Sequence, residues 1–292
     1  FVYDNNRIVE EASKRIRYLN REKKKFDDNK HYYLIRDDIK ASLFFDVNKS
    51  SIEELGNIIK HYTKKEIIIM DMEKQLSLLK KDNGLKTVSL DLYYKGDVNL
   101  NLCRLFNVSD TQSKPLRMIC RDNNGYKLDM IKNSSVILVD DDKASGQTVS
   151  LVKEILLKQN INIKEEVFLN ELYIVYKGLK SNDIYDIVDA RDFILGAKYG
   201  GLCTLLPNNT IVRSIYSYPY VNLKNRAKIE TKYHQLLSID IWEWNKTIFT
   251  NDAKLSDLCP LTQSFMKYIG FKNEALVIDI CNWHIDKIKG IL

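Results

Sequence analysis

Three consecutive carboxylates, Asp140, Asp141 and Asp142, end an unbroken apolar run, Val136-Ile137-Leu138-Val139, and Lys143-Ala144-Ser145-Gly146-Gln147-Thr148 follows at once. Ionised carboxylates only accept hydrogen bonds. They suit neutral hydroxyls, the waters of a bound metal or a developing positive charge, and they repel phosphate. The small-residue loop has the opposite preference. Its amides, with the exposed N–H groups of a new helix, form an anion cradle. Gly146 permits a left-handed backbone and close approach of a phosphate, and Ser145 and Thr148 add hydroxyl donors. A ligand with phosphate at one end and a diol in the middle satisfies both halves, as a ribose 5-phosphate does.

Such a site needs a strand before it and a helix after it. Four adjacent apolar residues predict a strand buried on both faces, as at the centre of a parallel sheet. Val149, Val152, Ile155 and Leu156 recur at helical spacing, which predicts a helix of about three turns. Upstream, residues 87–94 predict a strand ending in Lys95-Gly96-Asp97, with a helical pattern through Leu100, Cys103, Leu105 and Phe106. Residues 116–120 read as a short strand, 172–176 as the next strand and 183–193 as a helix. This alternation implies an α/β fold with a parallel sheet and right-handed crossovers, its ligand beyond the carboxyl ends of the strands.

Residues 1–85 read as a mostly helical lead-in. Residues 5–25 form a charged pattern with a narrow apolar stripe, and Ser51 with Glu54 marks a helix start. Residues 64–81 suit a second long helix, although Ile67-Ile68-Ile69 suits a strand equally. The α/β domain then covers 86–292, with an irregular accessory insertion at about 205–260. There Tyr216, Tyr218 and Tyr220 bracket Pro219, a cluster able to stack a base or to pack a domain edge. Ile241-Trp242-Glu243-Trp244 is expected to anchor this segment to a core.

A chain of 292 residues can bury a substantial core, and 45% hydrophobic with 29% charged residues is ordinary for a globular protein. No apolar run approaches the roughly 18 residues that span a bilayer, so no membrane contact is expected. Five scattered cysteines without CxxC spacing suit reduced thiols in a cytoplasmic protein, and four dispersed histidines propose no protein-built metal centre. The net charge of +6 is concentrated in residues 14–25, where Lys14, Arg15, Arg17, Arg21, Lys23, Lys24 and Lys25 accompany one Glu. Such a segment can grip nucleic-acid phosphates or form a solvated helix face.

The stretch from Val136 to Thr148 resembles the phosphoribosyl-diphosphate (PRPP) motif of type I phosphoribosyltransferases: four apolar residues, two acids, a short variable piece and a Thr/Ser-Thr/Ser-Gly-x-Thr loop. By that resemblance Asp140 and Asp141 hold the ribose hydroxyls, and residues Asp142, Lys143, Ala144, Ser145, Gly146, Gln147 and Thr148 form the 5-phosphate loop. Ala144 stands where Thr or Ser is usual. Lys95, Gly96 and Asp97 fall in the order expected of the pyrophosphate loop. Gly270, Phe271 and Asn273, read as a turn running into a strand, are similar to the end of the effector-type domains (PRTase-CE) of bacterial anti-phage systems. The resemblance implies a Rossmann-like sheet of the phosphoribosyltransferase kind, PRPP or a nucleotide-like ligand, Mg2+ as cofactor, and a toxic or nucleotide-depleting effector. It also implies retron-type partners: a reverse transcriptase with its RNA–DNA product, and a winged-helix protein. Glycosyl transfer or hydrolysis, degenerate nucleotide sensing and nucleic-acid-binding assembly remain three separate outcomes.

Overall fold

The computed structural model describes residues 26–39, 49–79, 84–91, 94–100, 102–107, 117–120, 125–142, 146–196, 210–211, 217–218 and 223–290. In chain order the main elements are β1 (Tyr32–Asp37), α1 (Lys49–Thr63), β2 (Glu66–Asp71), α2 (Met72–Ser77), β3 (Lys86–Ser89), β4 (Val98–Asn99), β5 (Leu102–Asn107), β6 (Arg117–Cys120), β7 (Ser135–Asp140), α3 (Gln147–Lys158), β8 (Asn162–Phe168), α4 (Leu169–Tyr176), β9 (Ile184–Asp189), β10 (Thr210–Ile211), α5 (Leu223–Arg226), α6 (His234–Ile248), α7 (Pro260–Tyr268) and α8 (Val277–Lys289). They fall into two compact units. Unit 1 comprises Phe1–Ile69, Leu105–Arg117 and Asn182–Leu292; unit 2 comprises Met70–Arg104 and Met118–Ser181. The chain is an α/β protein with two all-parallel sheets. Among the described residues no helix is long and apolar enough to cross a membrane.

Unit 2 carries the acidic motif on a sheet of order β4-β3-β7-β8. β7 sits inside, paired in parallel with β3 (Val88↔Leu138, Ser89↔Val139) and with β8 (Val139↔Val167, Asp140↔Phe168). Val136 to Val139 are all buried, as an interior strand requires. Alternation sends Val136 and Leu138 to one face, against Val88, Val98, Val149, Val152 and Leu156. Ile137 and Val139 go to the other, against Leu169 with Leu76, Leu85 and Val167. Each such side chain contributes about 1.5–3 kcal/mol by burial. α3 packs on the first face through Val149, Val152 and Leu156, while Ile155 is partly exposed.

In unit 1 the sheet order is β2-β1-β9, with β1 in the centre and parallel to β9 (Tyr33↔Asp186, Ile35↔Val188). Tyr33, Leu34 and Ile35 are fully buried. The Trp242 and Trp244 anchors expected from sequence lie in this core. The Trp242 ring stacks on His284 at 4.0 Å and its Nε1 donates to Ser217 Oγ at 2.9 Å. Trp244 Nε1 donates to the Ser51 carbonyl at 3.1 Å, tying α6 to α1.

Several expected elements are of the other type. Residues 172–176 lie in helix α4, because Leu169, Asn170, Tyr173 and Ile174 are buried at helical spacing, while Val175 and Tyr176 face outward. Residues 184–189, read as helix, form β9, whose Ile and Val residues fill the space beside β1. Residues 102–107, read as helical, form β5, paired antiparallel with β10. The strand at 87–94 is only Lys86–Ser89.

At 64–81 the chain chooses the strand for Ile67 to Ile69. It then turns helical because Asp71 Oδ1 accepts the Lys74 N–H at 2.6 Å. The described lead-in is therefore mixed rather than mostly helical. The turn at Gly270 to Asn273 leads into helix α8, not a strand; Val277, Ile280, Cys281, His284, Ile285 and Ile288 give it one buried face. The C-terminal region, expected to be irregular, is built of α6, α7 and α8.

Candidate functional site

β7 delivers Asp140 to the carboxyl edge of the unit 2 sheet. Its side chain is 9% exposed, and Asp141 and Asp142 are half-buried. The backbone folds back on these acids: the Asp141 N–H donates to Asp140 Oδ1 at 3.0 Å and the Asp142 N–H to Asp141 Oδ1 at 2.7 Å. The Asn170 N–H, in the first turn of α4, donates to the Asp141 carbonyl at 3.0 Å and fixes the turn to β8. Burial, then the carboxylate of Asp141, then that of Asp91, push the Asp140 carboxyl well above the usual range, against the Asp141 amide. The site therefore favours a proton, a cation or hydroxyl donors at Asp140.

Beyond the acids in sequence comes the start of α3. Gly146 occupies the N-cap of α3 at φ 66°, ψ 0°, a left-handed conformation that costs other L-residues about 1–2 kcal/mol. No side chain caps α3, so its first amides remain unclaimed by a cap. The Gly146 carbonyl accepts both the Ser150 N–H and Ser150 Oγ at 2.9 Å, which locks the helix start. Aligned amides with no acid in the first turn favour an anion here. Asp140, Asp141 and Asp142 thus stand at the end of β7, and Gly146 and Thr148 at the start of α3, the next described element. Lys143, Ala144, Ser145 and the side chain of Gln147 lie outside the described residues, as does the whole basic segment Lys14 to Lys25.

Lys95, Gly96 and Asp97 occupy another part of the sheet. Asp97 Oδ2 accepts the Thr87 N–H at 2.7 Å and Thr87 Oγ1 at 3.0 Å, and these bonds hold its carboxyl below the usual range. Thr87 pairs with Ile137, three residues before Asp140, or about 10 Å along the strand. A Cβ on Gly96 would lie 2.9 Å from the Thr87 carbonyl oxygen, so glycine serves close backbone approach at the start of β4. The stretch that reaches the carboxyl edge from β3 is instead Leu90 and Asp91: the Leu90 N–H donates to the Val139 carbonyl at 2.8 Å. Asn273 belongs to unit 1, where its carbonyl accepts the Ser256 N–H at 3.1 Å.

Two residues at this edge escape the sequence reading. Asp91, 3% exposed, sits inside an alternating pattern, SLDLYY, that reads as a strand with Asp91 on its polar face. The strand's early end at Ser89 turns it inward. Asn170 looks like an ordinary residue of an apolar stretch, and only the β8-to-α4 turn places it against Asp141.

Unit 1 has a comparable edge. Asp38, at the end of β1, is buried. Its Oδ1 accepts the Arg191 N–H at 3.1 Å, and Arg191 Nε lies 2.9 Å from its Oδ2. Arg191 Nη2 also donates to Asp189 Oδ2 at 3.0 Å. Burial pushes the Asp38 carboxyl up to about 7, with Arg191 pulling down and Asp189 pushing up.

Mg2+ takes one or two carboxylates and completes its shell with water and ligand phosphates. Asp140 and Asp141 provide that number, and their oxygen-only chemistry fits. Among the described residues no group of three or more His, Cys, Asp or Glu side chains is arranged as a metal centre. Comparison of the chain with protein-family models, with curated proteins and with solved structures finds no match.

Proposed function

We propose that unit 2 binds a ribose 5-phosphate ligand, PRPP or a related nucleotide, at the carboxyl edge of β7. The observation that carries this reading is a buried acid, Asp140, at the end of β7, with left-handed Gly146 at the start of the next described element, α3. The acids take the sugar hydroxyls and the α3 amides take the phosphate. Asp140 and Asp141 would hold Mg2+, which supplies charge neutralisation next to a phosphate-bearing ligand. Positive charge developing at the sugar carbon during glycosyl transfer or hydrolysis is favoured by the same two carboxylates. The proposed role is that of a phosphoribosyltransferase-like effector that binds or consumes such a ligand in an anti-phage assembly; the motif resemblance supports that role.

The test is calorimetric titration of ribose 5-phosphate and PRPP, with Mg2+, into the full chain and into an Asp140→Asn, Asp141→Asn double variant. Binding lost by about a hundredfold or more, with an unchanged circular dichroism spectrum, is the expected result. Equal affinity in the two proteins, or no binding to either, refutes the reading.

A further inference from the structure

The strand next to the motif ends in an acid. Ser89 pairs with Val139, and Asp91 follows Ser89 by two residues as Asp141 follows Val139. Asp91 is almost fully buried and close enough for its charge to act on Asp140. Described residues on both sides bond to it: the Tyr94 N–H donates to Asp91 Oδ1 at 2.7 Å, and Ser89 Oγ donates to the Asp91 carbonyl at 3.1 Å. A loop that receives a diphosphate offers amides to the ligand; here the Tyr94 amide is turned onto a carboxylate. A second, independent feature lies across β7. Asn170 is 1% exposed and its Oδ1 has no hydrogen-bond partner among the described residues. A buried amide oxygen without a donor is costly, and a ligand O–H or N–H relieves that cost.

Acceptor-bearing residues therefore follow three neighbouring strand ends: Asp91 after β3, Asp140 and Asp141 at β7, and Asn170 after β8. Resting on the ribose 5-phosphate reading above, we infer that Asp91 and Asn170 select a ribose 5-phosphate whose C1 substituent is uncharged or cationic and bears donors. That is a nucleoside 5′-monophosphate rather than PRPP. A diphosphate at C1 brings like charge against Asp91, whereas a base brings N–H groups to an acceptor-rich wall.

The experiment is calorimetric titration of AMP, GMP, CMP, UMP, ribose 5-phosphate and PRPP into the full chain, each with and without Mg2+. At least one nucleoside monophosphate is expected to bind about tenfold or more tighter than PRPP. Asp91→Asn, which keeps the Oδ1 acceptor for Tyr94, is expected to raise PRPP affinity about tenfold. Asn170→Ala is expected to weaken the monophosphate about fivefold and leave PRPP nearly unchanged. The ligand ranking on the unaltered chain decides the matter even where a variant does not fold. PRPP binding as tightly as every monophosphate, with or without Mg2+, overturns the inference while the ribose 5-phosphate reading stands. Failure of every ribose phosphate to bind overturns both.

Discussion

The two parallel sheets of this chain both end in buried aspartates, and they treat the charge differently. At the edge of β1 and β9, Asp38 and Asp189 share the guanidinium of Arg191, which also donates its backbone N–H to Asp38. At the edge of β3, β7 and β8, Asp140 is acted on by the carboxylates of Asp141 and Asp91, with a backbone amide opposing them. The first cluster closes its charge within the chain. The second sets the carboxylates of Asp141 and Asp91 where both raise the carboxyl of Asp140. Carboxyls perturbed by burial and by like charge mark candidate functional sites. That contrast, rather than acidity, separates a structural cluster from a candidate site.

The contrast has measurable consequences. The largest is expected at the compensated edge. Arg191→Met takes from buried Asp38 and half-buried Asp189 the guanidinium they share, leaving Asp38 only the more weakly acting Arg36, and should destabilise the fold by about 3–5 kcal/mol in denaturant titration. A loss under 1 kcal/mol would mean that the Arg191 pair is no structural closure.

The pH dependence follows from the same edge. The Asp38 carboxyl is raised to about 7 from 3.8, so the folded chain keeps a proton that the unfolded chain releases. Stability is then full below about 3.8 and falls as pH rises to about 7, by roughly 4 kcal/mol at most. Asp38→Asn should flatten that slope. His284, held down at about 4 by burial, acts oppositely: its contribution is present above 6.5 and is lost as pH falls through 4. Denaturant midpoints from pH 4 to 8 for the two proteins decide whether the falling slope belongs to Asp38.

Gly96→Ala pushes a Cβ against the Thr87 carbonyl and should destabilise by about 1–3 kcal/mol. It should leave ligand affinity unchanged, because Gly96 lies by Thr87 and not at the acid edge; a loss of affinity would return it to the site. The smallest effect has the opposite sign. Asp140→Asn removes a buried charge beside Asp141 and Asp91 and should raise the melting temperature by a few degrees at pH 8, with less gain at pH 5. A melting temperature lowered at pH 8 would show that the Asp140 carboxylate is net stabilised in the fold.

Much of the candidate site was legible because it is local. The run from Val136 to Val139, the acids after it and the glycine before α3 are contiguous, and each forces its own conformation. Elsewhere the same apolar residues served two periods. Leu172 to Val175 reads as a strand until Asn170 and Tyr173 are seen buried on one helical face. Ile184 to Val188 reads as a helix until β1 lies beside it. Lys95 to Asp97 follow the expected order, yet order does not say at which end of a strand a turn comes to rest.

The chain's linear order alone determined that a buried strand carries its acids directly into a glycine-started helix, since backbone sterics and apolar burial act within a dozen residues. Only the tertiary structure decided which other groups face those acids. Asp91 and Asn170 reach Asp140 and Asp141 through pairing across β3, β7 and β8. Hydrogen bonds between strands join residues that are far apart in sequence, and no local preference encodes that register.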